Sequence, residues 1–288
     1  MVTRGVHRRQ MLLIENKEIT QILEYTLGYC LAKHDIKLHA IVVEGNHFHR
    51  VDTDAEGIRS DFIRDLHSFL GRQLNRYYKQ SHSFFSSAPT SIVHNEDPND
   101  FLHRIVYAMG NPVNDGIERE GKNHKGMRKR WPTPDKVIKR PKGFWRSAEK
   151  GGPAPEKVTL RFSRPPGFEA LTDEELDAVL EKRVLAYEKG KRDERDAKGI
   201  PFRCDVTNKR PNPRSFPRVR RMLFALSPLI GAKDKTKRIA AIRKLQTFRR
   251  LHKVARLARE AGDFSAVFPY GTNQAVRRWD VPVESAPT

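Results

Sequence analysis

The chain has 288 residues, of which 55 are Lys or Arg and 35 are Asp or Glu, and its formal net charge of +20 favours a polyanionic partner, most simply nucleic acid. A ribosomal protein or a generally adhesive surface protein would be the less specific alternative. Two cysteines, Cys30 and Cys204, are too few for a disulfide framework or a four-thiolate zinc site, and we find no signal peptide or membrane-spanning apolar run, so we expect a cytoplasmic protein.

Residues 1–118 predict a compact α+β unit. Apolar residues three and four apart predict helices at residues 16–34, 55–78 and 97–111. β-Rich stretches predict strands near the N-terminus, at residues 36–44, at the segment HFHRVD and at residues 90–96. The order β-α-β-β-α-β-α is that of a ferredoxin-like (split βαβ) domain with one added helix.

The charge is concentrated in the rest of the chain. Residues 1–118 hold 13 basic and 15 acidic side chains, so residues 119–288 hold 42 basic and 20 acidic ones. We therefore predict a boundary near residue 118, a basic Pro/Gly-rich linker at residues 119–156, and a basic extension at residues 157–288. Within the extension we predict a strand at 156–168, a helix from a Thr172–Glu175 capping box to about Gly190, and a helix at 236–262, with the remainder irregular.

His47 and His49 flank a single residue in a predicted strand. Because alternate residues of a strand point to the same face, the two imidazoles project together while Phe48 turns to the other side. This spacing suits two ligands of one metal ion. A pair of exposed or structural histidines is the alternative, and the pair alone does not decide between them.

Tyr107 and Asn111 lie four residues apart in the third predicted helix, and therefore on one face. A tyrosine hydroxyl can act as a nucleophile on phosphorus when a metal ion polarises the phosphate. The Asn111 amide oxygen could be a third metal ligand. Alternatively, Tyr107 is a packed ring and Asn111 a capping residue, because a residue before proline is biased away from helical geometry and Asn111 is then expected at the helix end.

Three segments, VTRGVHRRQ, LAKHDIKLHAIVVEGNHFHRV and FLHRIVYAMGNPVNDGI, resemble in this order the signature blocks of single-tyrosine HUH transposases, especially the REP-associated tyrosine transposases of bacteria. The sequence Asn46-His47-Phe48-His49 is similar to the family's histidine block. Tyr107, followed by Asn111-Pro112-Val113, is similar to its tyrosine block. The resemblance covers residues 1–118.

The resemblance implies an HUH domain in which Tyr107 cleaves single-stranded, hairpin-associated DNA and forms a 5′-phosphotyrosine. It implies that His47, His49 and Asn111 hold Mg²⁺ or Mn²⁺, that a 3′-hydroxyl rejoins strands in transposition, and that the protein is nucleoid-associated. Some related enzymes are homodimers that exchange the tyrosine helix. The chain departs from the family where Glu44-Gly45 replaces Met-Pro, and at Arg50, which shares a face with Phe48 and is awkward for a buried strand unless the strand ends there.

DNA contacts are predicted from basic residues and interleaved aromatic residues, since cations neutralise phosphates and aromatic rings stack on unpaired bases. These candidates are Arg4, Arg8, Arg9, Lys129, Arg130, Trp131, Trp145, Arg249, Arg250 and Lys253. A solvated, flexible linker is the alternative for the segment around Trp131. No Lys or Arg lies between residues 81 and 103, which suggests a second hypothesis, a catalytically impaired descendant that binds hairpin DNA or RNA without cutting it.

Overall fold

The computed structural model describes residues 1–95, 97–144, 154–207, 209, 211–215 and 229–285, and these form an α+β protein, as predicted. The described strands are β1 (Val2–Gly5), β2 (Lys37–Glu44), β3 (His47–Thr53), β4 (Ser91–Ile92), β5 (His94–Asn95), β6 (Arg128–Arg130), β7 (Lys136–Lys139), β8 (Lys157–Leu160) and β9 (Ile230–Gly231). The described helices are α1 (Lys17–His34), α2 (Arg59–Tyr77), α3 (Pro98–Asn114), α4 (Asp173–Ala197), α5 (Arg203–Val206), α6 (Lys235–Glu260) and α7 (Asn273–Trp279).

Five strands form an antiparallel sheet in the order β4-β1-β3-β2-β6. The register places Glu44 opposite His47 on the neighbouring strand, and Thr3 opposite His49. Directly opposed residues share a face of the sheet, and alternate residues of one strand do so too. Glu44, His47, His49 and Thr3 therefore project from one face, while Phe48 projects from the other.

Helices cover both faces. On the face that carries Phe48, the α2 side chain His67 lies with its ring centroid 6.0 Å from that of Phe48. On the opposite face, α3 brings Tyr107 against His49, with ring centroids 5.6 Å apart and the rings nearly perpendicular. The sheet thus positions the histidines directly under the helix that carries the tyrosine.

Helix α3 begins as predicted and ends later than predicted. The Asp97 side chain accepts a hydrogen bond from the Asp100 amide at 2.9 Å and caps the helix. The helix then continues through Pro112 to Asn114, so the prediction that Asn111 ends it is wrong. Proline removes only one backbone donor in the last turn, and the Asp115 amide closes that turn on the Asn111 carbonyl at 2.8 Å.

Strand β3 continues past Arg50, so Arg50 lies within a buried strand and not at its end. Arg50 is fully buried, and its Nε donates to Asp52 Oδ2 at 2.5 Å. Its guanidinium carbon lies 4.5 Å from the centroid of the Phe62 ring on α2. An ion pair and a cation–π contact therefore hold a charged side chain inside the core and let the strand run on to Thr53.

The hydrophobic core extends past the predicted boundary at residue 118. Strand β6 pairs with β2 and completes the sheet. Trp131 and Phe144 from the predicted linker lie in the same buried cluster as the front half, and so do Leu176, Leu180 and Val184 of α4. Residues assigned to a linker and an extension thus complete the fold that holds the site.

Helix α4 packs against α3 at Gly110. A Cβ atom added to Gly110 would lie 2.4 Å from Cδ1 of Tyr187, so the close approach of the two helices needs a glycine here. The Tyr187 ring also contacts Tyr107, with ring centroids 6.3 Å apart. The basic extension therefore supports the tyrosine helix from outside.

Helix α6 forms a separate layer with small apolar clusters of its own, around Ala241 near its start and Ala255 near its end. Near its N-terminus the Lys233 amide donates to Asp100 Oδ1 at 3.1 Å, and Lys237 pairs with Asp97 at 3.1 Å. Among the described residues, no helix combines the length and apolar character needed to cross a membrane.

Candidate metal and nucleophile site

The two strand histidines converge through their Nε2 atoms, which lie 3.1 Å apart. His47 Nδ1 donates to Asn46 Oδ1 at 2.7 Å, which leaves the lone pair of His47 on Nε2. His49 Nδ1 lies 2.7 Å from the Thr3 hydroxyl, which can either donate or accept. When His49 carries its proton on Nδ1 and donates it to the Thr3 hydroxyl, both Nε2 lone pairs can face a shared cation.

This arrangement fits a divalent metal ion. Two imidazole nitrogens bound to one ion at about 2.1 Å each are expected to lie about 3 Å apart when they are adjacent ligands, which agrees with the 3.1 Å between the Nε2 atoms. The hydrogen bonds at Nδ1 are of the kind that orient metal-binding histidines and fix their tautomers. Burial lowers the pKa of both imidazoles, that of His49 to about 3, so both are held in the neutral form that binds metal.

Their spacing on α3 predicted that Asn111 and Tyr107 share one face, and the structure places both in the wall of a cavity that His47 and His49 also line. Asn111 is 1% exposed, and its Nδ2 donates to Glu44 Oε1 at 3.0 Å. The other amide atom, Oδ1, is buried and accepts no hydrogen bond from a described residue. An unpartnered buried carbonyl oxygen is costly, and a metal ion beside the histidines would satisfy it.

Two carboxyl groups that the sequence interpretation did not single out also belong to this site. Ligand atoms of Glu44, His47 and Asp115 all lie within 4.8 Å of one another. His49 is outside that group, but its Nε2 is 3.1 Å from that of His47. Glu44, His47, His49 and Asp115 therefore form one cluster of candidate ligands. The signals were present: Glu44 faces His47 across a two-residue turn, and Asp115 follows Asn111 by four residues, at the C-cap of α3.

The two carboxyl groups and their burial shift the pKa values of the site. Burial raises the pKa of Glu44 to about 8, with a further contribution from Asp115. The pKa of Tyr107 is raised too, by burial first and then by Asp115 and Glu44. These groups disfavour a tyrosinate in the metal-free protein, and a bound divalent cation would reverse that effect because its charge has the opposite sign.

The site opens into a cavity of about 1150 Å³ that is lined by His47, His49, Tyr107 and Asn111. Basic residues from three parts of the chain surround it. They are Arg4, Arg8, Arg9, Lys125, Arg203 and Lys209. The extension thus provides part of the wall. Glu15, Glu44, Asp115 and Glu118 also line the cavity, so six basic side chains face four acidic ones, and this basic excess would attract a phosphate chain toward the tyrosine.

The predicted DNA-binding residues fall into distinct groups. Arg8 and Arg9 are exposed at the cavity and form no ion pair with a described residue, and the same holds for three residues on α6, namely Arg249, Arg250 and Lys253. Arg4 is half-buried and donates to the carbonyls of Ser86 and Ala88. Trp145 lies outside the described residues.

The structure corrects the prediction for the segment around Trp131. Trp131 is 6% exposed in the core and has no free ring face for a base. Lys129 pairs with Glu24 at 3.2 Å, and Arg130 pairs with Asp177 at 2.5 Å. These charges are matched within the protein, so the segment is a structural part of the sheet edge.

Comparisons with known proteins identify no relative of this chain. No family model, no curated protein and no solved structure matches the chain. Evidence about function therefore comes from the residues and from the geometry of the cavity.

Replacing Arg8 and Arg9 together by glutamine is expected to lower the affinity for single-stranded DNA. The remaining affinity should also depend less steeply on salt concentration. Each phosphate that the protein no longer neutralises lowers the slope of log K against log salt by about 0.7 for single strands, so two phosphates lower it by about 1.4. The measurement is a fluorescence-anisotropy titration at several salt concentrations. The control is Lys189→Gln with Lys191→Gln, because these residues pair with Asp193 and Glu194 on α4. Equal slopes in both double variants would contradict a role for Arg8 and Arg9.

Proposed function

We propose that this protein is a metal-dependent, tyrosine-nucleophile enzyme that cleaves and rejoins single-stranded DNA next to hairpins, as a transposase of the single-tyrosine HUH type. In this proposal the first four strands with α1 and α2 are a ferredoxin-like HUH domain, and α3 is the added helix. The metal is Mg²⁺ or Mn²⁺, and the bound nucleic acid accounts for the charge of +20.

One observation carries the proposal. Tyr107 and Asn111 from one helix lie over two histidines whose Nε2 atoms are 3.1 Å apart, at the base of a cavity with a basic wall. A nucleophile, a candidate cation site and phosphate-attracting charges thus meet in one place. The strand order β4-β1-β3-β2, with α1 between β1 and β2 and α2 between β3 and β4, supports the ferredoxin-like part.

The proposed reaction exchanges one phosphate ester for another. The Tyr107 oxygen forms a bond to phosphorus, the bond from phosphorus to the 3′ oxygen breaks, the phenol proton is released, and the departing 3′ oxygen takes up a proton. A bound divalent ion would polarise the phosphate and stabilise the departing oxygen. The chain's own residues hold the geometry: His49 packs against the Tyr107 ring, and Glu44 orients Asn111. Because one ester replaces another, a 3′-hydroxyl can reverse the step and join strands.

A covalent protein–DNA adduct tests the proposal. Wild-type protein is incubated with hairpin-bearing single-stranded DNA and Mn²⁺ or Mg²⁺. On a denaturing gel we expect a more slowly migrating band, which is protein covalently joined to DNA. Tyr107→Phe is expected to abolish this band, because it removes only the nucleophilic oxygen. Tyr270→Phe, at an exposed tyrosine, is the matched control and should retain it.

Absence of the adduct over a varied set of hairpins would contradict the enzyme proposal. If metal and hairpin DNA or RNA still bind under those conditions, the second candidate is favoured, a descendant that binds without cutting. The absence of Lys and Arg from residues 81–103 is the observation on its side.

A further inference from the structure

We infer that Glu44 is itself a ligand of the metal ion held by His47 and His49, with Asp115 as the carboxyl group beside it. The inference rests on the metal-binding half of the proposed function and is independent of strand cleavage. It gives the site an anionic oxygen ligand in addition to the two imidazoles and the Asn111 amide.

The fold places Glu44 at the site through strand pairing. It is the last residue of β2, and the chain turns through Gly45 and Asn46 so that Glu44 pairs with His47, the first residue of β3. Opposed residues share a face of the sheet. The Glu44 carboxyl group is therefore directed to the same side as both histidines, toward α3.

The distances place the two Glu44 oxygens in different roles. Oε1 accepts the hydrogen bond from Asn111 Nδ2 at 3.0 Å. Oε2 lies 3.7 Å from His47 Nε2, too long for a hydrogen bond. Two ligand atoms that are each about 2.1 Å from one ion cannot be more than about 4.2 Å apart, and Oε2 and Nε2 satisfy that limit.

A buried Glu44 side chain needs a cation beside it if it is to be ionised. This side chain is 2% exposed, and no described Lys or Arg forms an ion pair with it. A second and independent sign is Asn111 Oδ1, which is buried without a described partner although its amide nitrogen binds Glu44. One divalent ion would accept the Nε2 lone pairs, the Glu44 carboxylate and this amide oxygen together.

The ligand set indicates which ions bind. Imidazole nitrogens suit Zn²⁺, Co²⁺ and related ions, while carboxylate and amide oxygens suit Mg²⁺ and Mn²⁺. A mixed set of two nitrogens and two oxygens is intermediate between these preferences. We therefore expect Mn²⁺ and Co²⁺ to bind more tightly than Mg²⁺.

Glu44→Gln tests this assignment because the glutamine amide oxygen can still accept the hydrogen bond from Asn111 Nδ2, while the anionic ligand is removed. Full-length protein is freed of metal with a chelator and titrated with Mn²⁺ by calorimetry and with Co²⁺ by visible absorption. We expect Mn²⁺ affinity to fall at least about 10-fold, in the range found when groups around metal sites are changed. The Co²⁺ spectrum should change as well, because the ligand set changes.

Two further variants keep the test decisive. Glu24→Gln removes another buried glutamate, one that pairs with Lys129 and Lys136, and should leave metal affinity unaltered. Glu44→Asp retains the charge but withdraws the carboxylate, so it should also weaken binding and change the spectrum if Glu44→Gln does not fold by circular dichroism.

The outcomes separate this inference from the proposed function. If His47→Ala loses metal while the folded Glu44 variants bind Mn²⁺ and Co²⁺ like wild type, Glu44 is not a ligand and the histidine site stands. If Glu44→Gln weakens binding but wild type forms no DNA adduct, the metal site stands and strand cleavage does not. If wild type binds none of these ions, the inference is overturned.

Discussion

Replacing Asp52 by leucine is expected to lower the free energy of unfolding by about 3–5 kcal/mol, because it leaves a buried cation without its partner. The Arg50 side chain is fully buried, and its ion pair with Asp52 is the only one it makes among the described residues. Arg59 also pairs with Asp52 at 3.1 Å, but its side chain is partly exposed and can turn to water. Urea unfolding followed by circular dichroism measures the destabilisation.

The double variant Arg50→Met with Asp52→Leu is the control. Apolar replacement of both members of a buried pair is often neutral or stabilising, so the double variant should recover most of the stability. A destabilisation of less than about 0.5 kcal/mol in Asp52→Leu, the range of ordinary surface changes, would contradict the buried pair.

The same ion pair predicts a dependence on pH. Burial alone would raise the pKa of Asp52, but the charges of Arg50 and Arg59 outweigh burial and hold that pKa below its ordinary value. A lowered folded-state pKa stabilises the protein above the unfolded value of about 3.9, and the contribution disappears as pH falls through the folded-state pKa. The difference in stability between wild type and Asp52→Leu should therefore shrink below about pH 4.

Replacing Trp131 by alanine is expected to lower the free energy of unfolding by about 3–5 kcal/mol, as for other large aromatic residues removed from a core. Trp131 is buried at the end of β6, and its amide donates to the His39 carbonyl at 2.9 Å. The change leaves a cavity in the main hydrophobic core beside the sheet edge. Thermal and denaturant unfolding should both report the lower stability.

Trp279→Ala is the matched control, because this tryptophan is 62% exposed on α7. Its effect on stability should remain within about 0.5 kcal/mol. If Trp131→Ala instead left stability unaltered and weakened binding of single-stranded DNA, the tryptophan would be a base-stacking residue after all.

Local signals in the sequence predicted much of the secondary structure. The predicted Thr172–Glu175 capping box of α4 is present, and the first helix begins within one residue of its predicted start, with Asn16 as its cap. The start of α2 was placed too early because the Asp54 side chain accepts hydrogen bonds from the amides of Ile58 and Arg59 and holds the preceding residues in a bend. Helix α4 continues beyond Gly190, since a glycine in an exposed helix costs only about 1 kcal/mol and nearby pairs such as Lys189 with Asp193 offset it.

Features that depend on contacts distant in sequence were not predicted. Strand β6 reads Arg-Lys-Arg and shows no apolar alternation, yet it pairs with β2 because partners remote in sequence match its charges. Arg128, for example, pairs with Glu188 on α4 at 3.0 Å. For the site, spacing alone predicted that His47 shares a face with His49 and that Tyr107 shares a face with Asn111, but it did not bring the two pairs together. The place of Glu44 depends on the register of the turn that follows it, which the sequence does not state directly.

The position of β6 bears on how the two halves of this chain depend on each other. Strand β2 is eight residues long and buried over nearly its whole length, and it is an inner strand only because β6 covers its outer edge. A fragment that stopped at residue 118 would leave that largely apolar edge unpaired, a template on which copies of the fragment could pair and aggregate. The acidic front half and the basic back half differ in charge, yet they share one sheet, so a cut near residue 118 would divide a single folded unit.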